Sequence, residues 1–361
     1  MFRQFRSKPD WWLVIVVWGL TFFGLVMVGN VSIVEAYRSF GSEWYFLRLQ
    51  LIWGLLGGGA FLIACLLPLE KLENKAFLIL MISLILLVLV LIPGLGQLVL
   101  GARRRLNFWR VGLQPSELAK FSFALYLSAY FAQKRGVGAF LVVSALILGL
   151  IMAEPDLGTA VVVVLIGLAV YFVAGSPIWQ NLLILIGGVV AGLILVFSSP
   201  YRLERVRTFL DPTRDPLGSS YHLRQVLLAL GSGGWWGIGL GQSRQKYSYL
   251  PEVTTDSVFA VIGEEMGFLG SVLVVGAFAF LVWRGLRIAK RAGSRFEQLL
   301  ALALSAWLGS QAFLNLASMA ALIPLTGIPL PFISYGGSAL ILNLAGAGIL
   351  VNISRRRPMI K

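Results

Sequence analysis

Ten apolar runs divided by polar breaks dominate this chain, at residues 11–29, 47–67, 76–94, 117–132, 139–153, 157–175, 178–198, 257–283, 298–323 and 338–353. Hydrocarbon offers no partners for backbone N–H and C=O groups, so an open chain that crosses it must be helical. A bilayer core takes roughly 20 helical residues, close to the length of most of these runs. The expectation is an all-α, polytopic integral membrane protein with ten transmembrane helices, forming a single domain over residues 1–361. Composition agrees: 58% of residues are hydrophobic and 13% charged, against about 25% charged in soluble domains, which argues against a soluble enzyme. The breaks at 133–138 and 154–156 are short enough to make runs four to six tight hairpins. Residues 1–29 look like a signal sequence, with Arg3, Arg6 and Lys8 ahead of the apolar stretch, but its length and the lack of a small-x-small site mark a retained first span.

Thirty Lys and Arg against sixteen Asp and Glu give a net charge of +14. In a soluble protein this would point to nucleic acid, whereas in a membrane protein the placement of the charges sets orientation. With both termini cytoplasmic, sixteen of the thirty fall on the inner side, among them Arg284, Arg287, Lys290, Arg291 and Arg295, and Arg355, Arg356 and Arg357. Topology accounts for these, and no nucleic-acid partner is implied. The other fourteen fall outside or at the outer ends of spans, where the rule predicts few. Arg103, Arg104, Arg105 and Arg110 precede the fourth span, and Arg202, Arg205, Arg207, Arg214, Arg224, Arg244 and Lys246 lie in a large extracytoplasmic loop, about 199–256, between spans seven and eight. Loops of that length are functional or disordered. Residues 221–230 suit an amphipathic segment, and Trp235, Trp236, Tyr247 and Tyr249 suit a membrane interface. Lipid headgroups and an anionic substrate are both open as partners of the outer charge.

A single Cys65 and a single His222 leave almost no material for disulfides, Cys/His metal clusters or a Ser-His-Asp triad. Catalysis must then rest on carboxylates, Lys, Arg or Tyr. Glu117 and Lys120 stand at i, i+3 on one helix face, as a structural salt bridge or a functional pair. Asp156, in Glu154-Pro155-Asp156, opens the sixth span as an N-cap or a site residue. Asp256 stands where the outer loop enters the eighth span, where the positive helix end favours a carboxylate; a cap and a general base are both open and can coexist. Glu264, about 12 Å further along the helix axis, reads as part of a polar packing interface. Gly54 with Gly58, and Gly188 with Gly192, have the spacing of close helix approaches. The glycine-rich run 231–241 looks superficially like a nucleotide loop, but lacks the Lys-Ser/Thr ending and a preceding strand.

Residues 101–120 (GARRRLNFWRVGLQPSELAK), 154–159 (EPDLGT), 211–218 (DPTRDPLG), 239–252 (GLGQSRQKYSYLPE), 254–267 (TTDSVFAVIGEEMG) and 329–338 (PLPFISYGGS) together resemble the SEDS family of shape, elongation, division and sporulation proteins. The match runs in order across nearly the whole chain. RQKYSYLPE and the closing NISRR are more similar to the division-type FtsW branch than to the elongation-type RodA branch. The resemblance implies a peptidoglycan glycosyltransferase that polymerises lipid II at the outer face of the bacterial inner (cytoplasmic) membrane, releasing undecaprenyl diphosphate, for septal or shape-related wall synthesis. It also implies a class B penicillin-binding protein transpeptidase as partner, within the divisome or elongasome. Asp256 falls on the family's catalytic aspartate, and Arg103, Glu117, Lys120, Asp156 and Lys246 fall on motif positions around its outer, substrate-binding cavity. Where many members carry Ala-His-Thr, this chain has Val253-Thr254-Thr255, so the expectation is that no histidine assists Asp256. Ser257 replaces a commonly aromatic position.

A glycosidase usually needs two carboxylates because its leaving alcohol must be protonated. A polyprenyl diphosphate leaves as a stabilised anion, so one base with cationic stabilisation suffices. Asp256 is expected to take the proton of the acceptor 4-hydroxyl as that oxygen attacks the donor's anomeric carbon with inversion. Arg103 and Lys246 are the expected diphosphate clamp, one bidentate and one a point charge. The sequence requires no cofactor, although a divalent cation, Mg or Mn, would suit the diphosphate. The alternatives are a lipid II flippase, against which the outer placement of the polar motifs weighs, and a noncatalytic scaffold for the transpeptidase.

Overall fold

A computed structural model describes residues 8–99, 102–108, 111–215, 218–246 and 250–356. Arg3, Arg6, Arg110, Tyr247, Tyr249 and Arg357 lie outside the described residues. In chain order come α1 (Trp11–Val31), α2 (Ile33–Phe40), α3 (Tyr45–Leu66), α4 (Leu69–Asn74) and α5 (Ala76–Leu91), then strands β1 (Gly96–Val99), β2 (Ala102–Phe108) and β3 (Val111–Leu113). They are followed by α6 (Pro115–Ala132), α7 (Val137–Ala153), α8 (Leu157–Val173), α9 (Ile178–Phe197), α10 (Pro200–Leu210) and α11 (Tyr221–Ser232). The chain continues through α12 (Val258–Lys290), α13 (Arg295–Met319) and α14 (Gly337–Ser354). Each of the ten apolar runs is occupied by a helix, and residues 221–230 form α11 as the amphipathic pattern predicts. Six helices, α1, α3, α9, α12, α13 and α14, are long and apolar enough to cross a membrane, which makes this a multi-pass membrane protein.

The all-α expectation needs one correction. The connection before α6 is a three-stranded antiparallel sheet with β2 in the centre. Between Ala102 and Leu106 the register against β1 is irregular, with Gln97 opposite Arg105 and Leu98 opposite Arg103, so Arg104 is the extra residue of a bulge and the three arginines do not simply alternate. Ala102 and Leu106 are buried. With three consecutive arginines in the strand and a bulge among them, no regular apolar alternation marks it in the sequence.

A second departure is inside α12, where Gly267 has φ 65° and interrupts the helical path. The glycine-rich run 231–241 docks into this break. Ile238 N donates to Glu264 O (3.1 Å), Gly239 N to Glu265 O (3.0 Å), and Phe268 N to Gly234 O (2.8 Å), so backbone groups at the break find partners. A Cβ on Gly237 would lie 2.1 Å from Glu265 O, and one on Gly267 2.4 Å from Gly237 N. The glycines thus serve a backbone-to-backbone joint. Helix approach is also relocated: α3 and α14 meet closely at Gly57 and Gly348, and Gly58 admits Trp18 of α1, whereas Gly54 and Gly192 border open space and Gly188 makes an ordinary contact.

Polar ties gather at the two ends of the bundle. At one, Asp10 caps α1 and pairs with Arg284 of α12, Ser354 Oγ accepts from Asp10 N (3.0 Å), and Arg356 bridges Glu70 (3.1 Å) and Glu297 (3.3 Å). The opposite end brings together the starts of α6, α8 and α12 with the segment 320–336, where the motif residues lie.

Candidate active site

Asp256 ends the loop that leads into α12. Its carboxylate does not cap the helix: Ser257 occupies the N-cap position and makes no side-chain cap bond. The cap reading therefore fails, and the carboxylate takes one side-chain hydrogen bond, from Thr255 Oγ1 to Oδ1 (3.2 Å). Asp256 is buried, and that burial, with the Glu252 carboxylate adding repulsion, pushes its pKa up to about 7; Thr255 and the Arg205 charge pull the other way. A carboxyl of this kind exchanges a proton near neutrality.

Its backbone is held by a row of amides on α13. Asn315 Nδ2 donates to Asp256 O (2.8 Å) and to Ile328 O (2.7 Å), so one side chain pins the start of α12 to the 320–336 segment. Tyr335 N donates to Thr254 O (2.9 Å), closing the other side of the loop. Four residues earlier on the same helix face, Gln311 Nε2 donates to Pro329 O (3.1 Å), while its Oε1 accepts from Trp307 Nε1 (3.0 Å) and from Lys120 Nζ (2.7 Å). Lys120 Nζ also reaches Glu117 Oε1 at 2.7 Å, and both side chains are buried. The i, i+3 pair exists as the spacing predicts. It lies inside the bundle and grips the segment that faces Asp256 through Gln311.

Asp156 caps α8, accepting from Thr159 N (3.0 Å) and Thr159 Oγ1 (2.9 Å). The next turn packs on the same 320–336 segment, since a Cβ on Gly158 would lie 2.7 Å from Ile328. Arg104, rather than Arg103, grips this turn: its Nε donates to Glu154 O (3.1 Å) and its terminal nitrogen to Pro155 O (2.7 Å). Glu154 is buried, and neither carboxyl oxygen has a hydrogen bond among the described residues. Burial, reinforced by Asp156 and opposed by Arg104, pushes its pKa up to about 8, which keeps it mostly protonated at neutral pH.

Lys246 lies in another network. Its ammonium donates to Asn30 Oδ1 (3.2 Å) and to Gly241 O, and Asn30 in turn donates to Glu265. Glu265 Oε1 accepts from Ser243 N (3.1 Å), while Glu264 accepts from Arg244 N (3.1 Å) and Ser243 Oγ. These carboxylates pin the 241–246 loop to α12, the packing role expected for Glu264. Among the described residues no group of three or more His, Cys, Asp or Glu is placed to hold a metal ion.

The family model of FtsW, RodA and SpoVE, described as cell cycle protein, matches residues 11–358. The chain belongs to this family, the SEDS proteins. A probable peptidoglycan glycosyltransferase FtsW of Thioalkalivibrio sulfidiphilus (strain HL-EbGR7) is 41% identical over 364 residues, covering 98% of this chain and 91% of its own. The stage V sporulation protein E of Bacillus subtilis (strain 168) is 38% identical over 360 residues, covering 97% and 98%. Among solved structures, a chain described under "Structural coordination of polymerization and crosslinking by a peptidoglycan synthase complex" superposes with a TM-score of 0.79 at 30% identity, covering 98% of this chain and 99% of that one. The Thermus thermophilus rod shape determining protein RodA gives 0.72 at 28% identity, covering 97% and 98%.

Within this SEDS fold, sequence reasoning passed over three side chains. Gln311 and Asn315 were visible as amides four residues apart in an apolar run, where polar groups default to a functional reading. His222 gave no local signal, because it approaches from 35 residues away: its Nε2 lies 2.8 Å from Ser257 Oγ, and Ser257 Oγ donates to Pro251 O (3.0 Å). His222 reaches Ser257, the residue after Asp256, and not the Asp256 carboxylate. Burial, with Arg205 nearby, lowers the His222 pKa to about 4, so the ring is neutral at pH 7 and acts as a hydrogen-bonding strut. The fully buried Ser257 at the commonly aromatic position is its counterpart.

Proposed function

We propose that this chain is a peptidoglycan glycosyltransferase that polymerises lipid II at the outer face of the bacterial inner membrane, with Asp256 as general base. The observation that carries the reading is the Asp256 carboxyl: buried, not engaged as a helix cap, and with a pKa of about 7 at the loop entering α12. In its ionised form Asp256 takes the proton of the acceptor 4-hydroxyl. That oxygen bonds to the donor's anomeric carbon, and the carbon's bond to the diphosphate oxygen breaks, its electron pair leaving with undecaprenyl diphosphate. Asp256 then returns the proton to water. A base matched to ambient pH contributes about 10²- to 10⁴-fold in rate.

In this reading Arg103, next to Arg104 in β2, is the diphosphate ligand. Lys246 and Lys120, whose ammonium groups are engaged by Asn30, Gly241 O, Glu117 and Gln311, act by holding the surrounding loops. Asp156 does the same through the α8 cap. A Mg or Mn ion would neutralise developing diphosphate charge, and it would be held chiefly by the substrate phosphates, with Glu252 the candidate carboxylate, since the described residues offer no all-protein cage.

The ten apolar helices are read as ten spans, with both termini and the Asp10–Arg284 and Arg356–Glu297 ties at the cytoplasmic end. The partner is a class B penicillin-binding protein transpeptidase, a reading supported by the synthase complex among the structural neighbours. Similarity to FtsW relatives favours a role in division. The test is to incubate the purified full-length protein, with and without its transpeptidase, with lipid II. Glycan polymer is expected; its absence even with the partner would remove the enzymatic reading.

A further inference from the structure

Between α10, α11 and residue 325 lies a cavity of about 230 Å³. Its polar lining is Tyr201, Glu204, Arg205, Thr208, Ser219 and His222. None of these is a motif position considered for the reaction so far. The cavity lies beside the Asp256 loop, joined to it through two of its lining residues. His222 is bonded to Ser257, the residue after Asp256, and Leu325, which also lines the cavity, lies two residues before Gly327, whose Cβ position is 3.8 Å from Asp256 Oδ2. Arg205 anchors the cavity to that segment, donating to Leu325 O (3.0 Å) and to the Tyr201 hydroxyl (2.6 Å), with its guanidinium 4.9 Å from the Tyr201 ring centre.

The chemistry of the lining selects among ligands. One guanidinium and one carboxylate cancel, and the imidazole is neutral, so the walls offer no excess positive charge for a diphosphate. They offer instead an acceptor-only carboxylate, three hydroxyls that donate or accept, and a neutral ring. Tyr201 and Phe209 add aromatic faces that suit the C–H side of a sugar. The volume falls below the roughly 300 to 1,000 Å³ typical of sites for drug-sized ligands, which limits the occupant to about one ring.

We propose that this cavity is a subsite for one neutral N-acetylhexosamine ring, that of the acceptor, held so that its 4-hydroxyl is presented to Asp256. The assignment rests on the glycosyltransferase reading for which sugar it takes, and on the lining alone for the class of ligand. Glu204 accepts from the ring hydroxyls in competition with Ser219 Oγ, now 3.0 Å away, and Tyr201 closes over the ring.

Two measurements on the full-length protein test it. In polymerisation assays with the transpeptidase present, Tyr201→Ala and Glu204→Gln are expected to raise KM for lipid II about tenfold with kcat within about threefold, the pattern of lost binding shared by ground and transition states. In saturation-transfer NMR, methyl β-N-acetylglucosaminide is expected to bind the Asp256→Asn protein, and the signal is expected to fall when Tyr201→Ala is added. Both changed residues are substantially exposed (61% for Tyr201 and 39% for the Glu204 side chain), so the variants retain the fold. Glycoside binding that depends on Tyr201 in a protein that makes no polymer would uphold the sugar site and remove the enzymatic reading. Polymerisation with unchanged KM in both variants and no glycoside binding would overturn the subsite and leave the enzymatic reading standing. Binding of inorganic diphosphate, in place of the glycoside, lost on Arg205→Ala would also overturn it.

Discussion

Two acidic sites lie within ten residues of each other on the same motif and have opposite characters. Glu264 and Glu265 accept from Ser243, Arg244 N and Asn30, and their carboxylates are used to fasten the 241–246 loop. Asp256 has one hydroxyl partner on its carboxylate, with a pKa near neutrality. A charge whose hydrogen bonds are supplied by fixed backbone donors is committed to structure. A buried carboxyl held by its own amide and one hydroxyl, and dominated by burial, stays available to exchange a proton. The difference separates support from chemistry in a stretch where sequence alone shows only Asp, Glu and Glu.

The strongest way to break this comparison is Asp256→Asn. It is expected to lower polymerisation by about 10²-fold or more without loss of melting temperature. Because the folded-state pKa lies above that of a free carboxyl, ionising Asp256 opposes folding; the cost is absent below the free value, builds as pH rises and is complete above about 7. A neutral amide in place of the carboxyl removes it, so the variant should melt at the wild-type temperature or higher at pH 8; strong destabilisation with full activity per folded molecule would reverse the assignment. Glu265→Ala is expected to do the opposite, costing about 1.5 to 3 kcal/mol per charged hydrogen bond lost and reducing activity only through the folded fraction, read by thermal melts beside turnover.

Gly237→Ala sharpens the same contrast from the backbone side. At φ 82° with Glu265 O in the way, the added methyl is expected to cost about 1 to 3 kcal/mol, again visible as a lowered melting temperature. For the strut, His222→Ala should slow turnover by about tenfold, within the range of a positioning loss, and His222→Gln, which keeps a hydrogen-bonding group near Ser257, should recover most of it. An equal loss in both would separate His222 from Ser257. The smallest effect is expected for Glu154→Gln, which mimics the protonated acid already favoured there; a large drop in turnover would mean that Glu154 works as a carboxylate.

Much of this was legible beforehand where physics is local. The ten apolar runs became ten helices with ends displaced by a few residues, because hydrocarbon enforces internal backbone pairing. The Glu117–Lys120 pair and the Asp156 cap follow from spacing on one helix. What sequence could not supply was long-range. The sheet at 96–113 hides behind three consecutive arginines in a connection where an open edge is tolerated. Gly267 breaks an otherwise continuous apolar helix, and only the docked run 231–241 explains why so many glycines stand there. Lys246, expected as a clamp, is drawn into a network with Asn30, 216 residues away, and His222 reaches Ser257 across the outer loop. The functional reading of Asp256 came from family resemblance; its release from capping is a fact of geometry.

The most direct test of the account is the pH dependence of kcat/KM for lipid II polymerisation by wild type and Asp256→Asn at matched folded fraction. Wild type should rise about tenfold per pH unit below about pH 7 and level off above it, as the base ionises, with Asp256→Asn retaining a small rate that lacks this limb. A wild-type rate in Asp256→Asn, or the same limb in both proteins, would contradict the claim that Asp256 is the base.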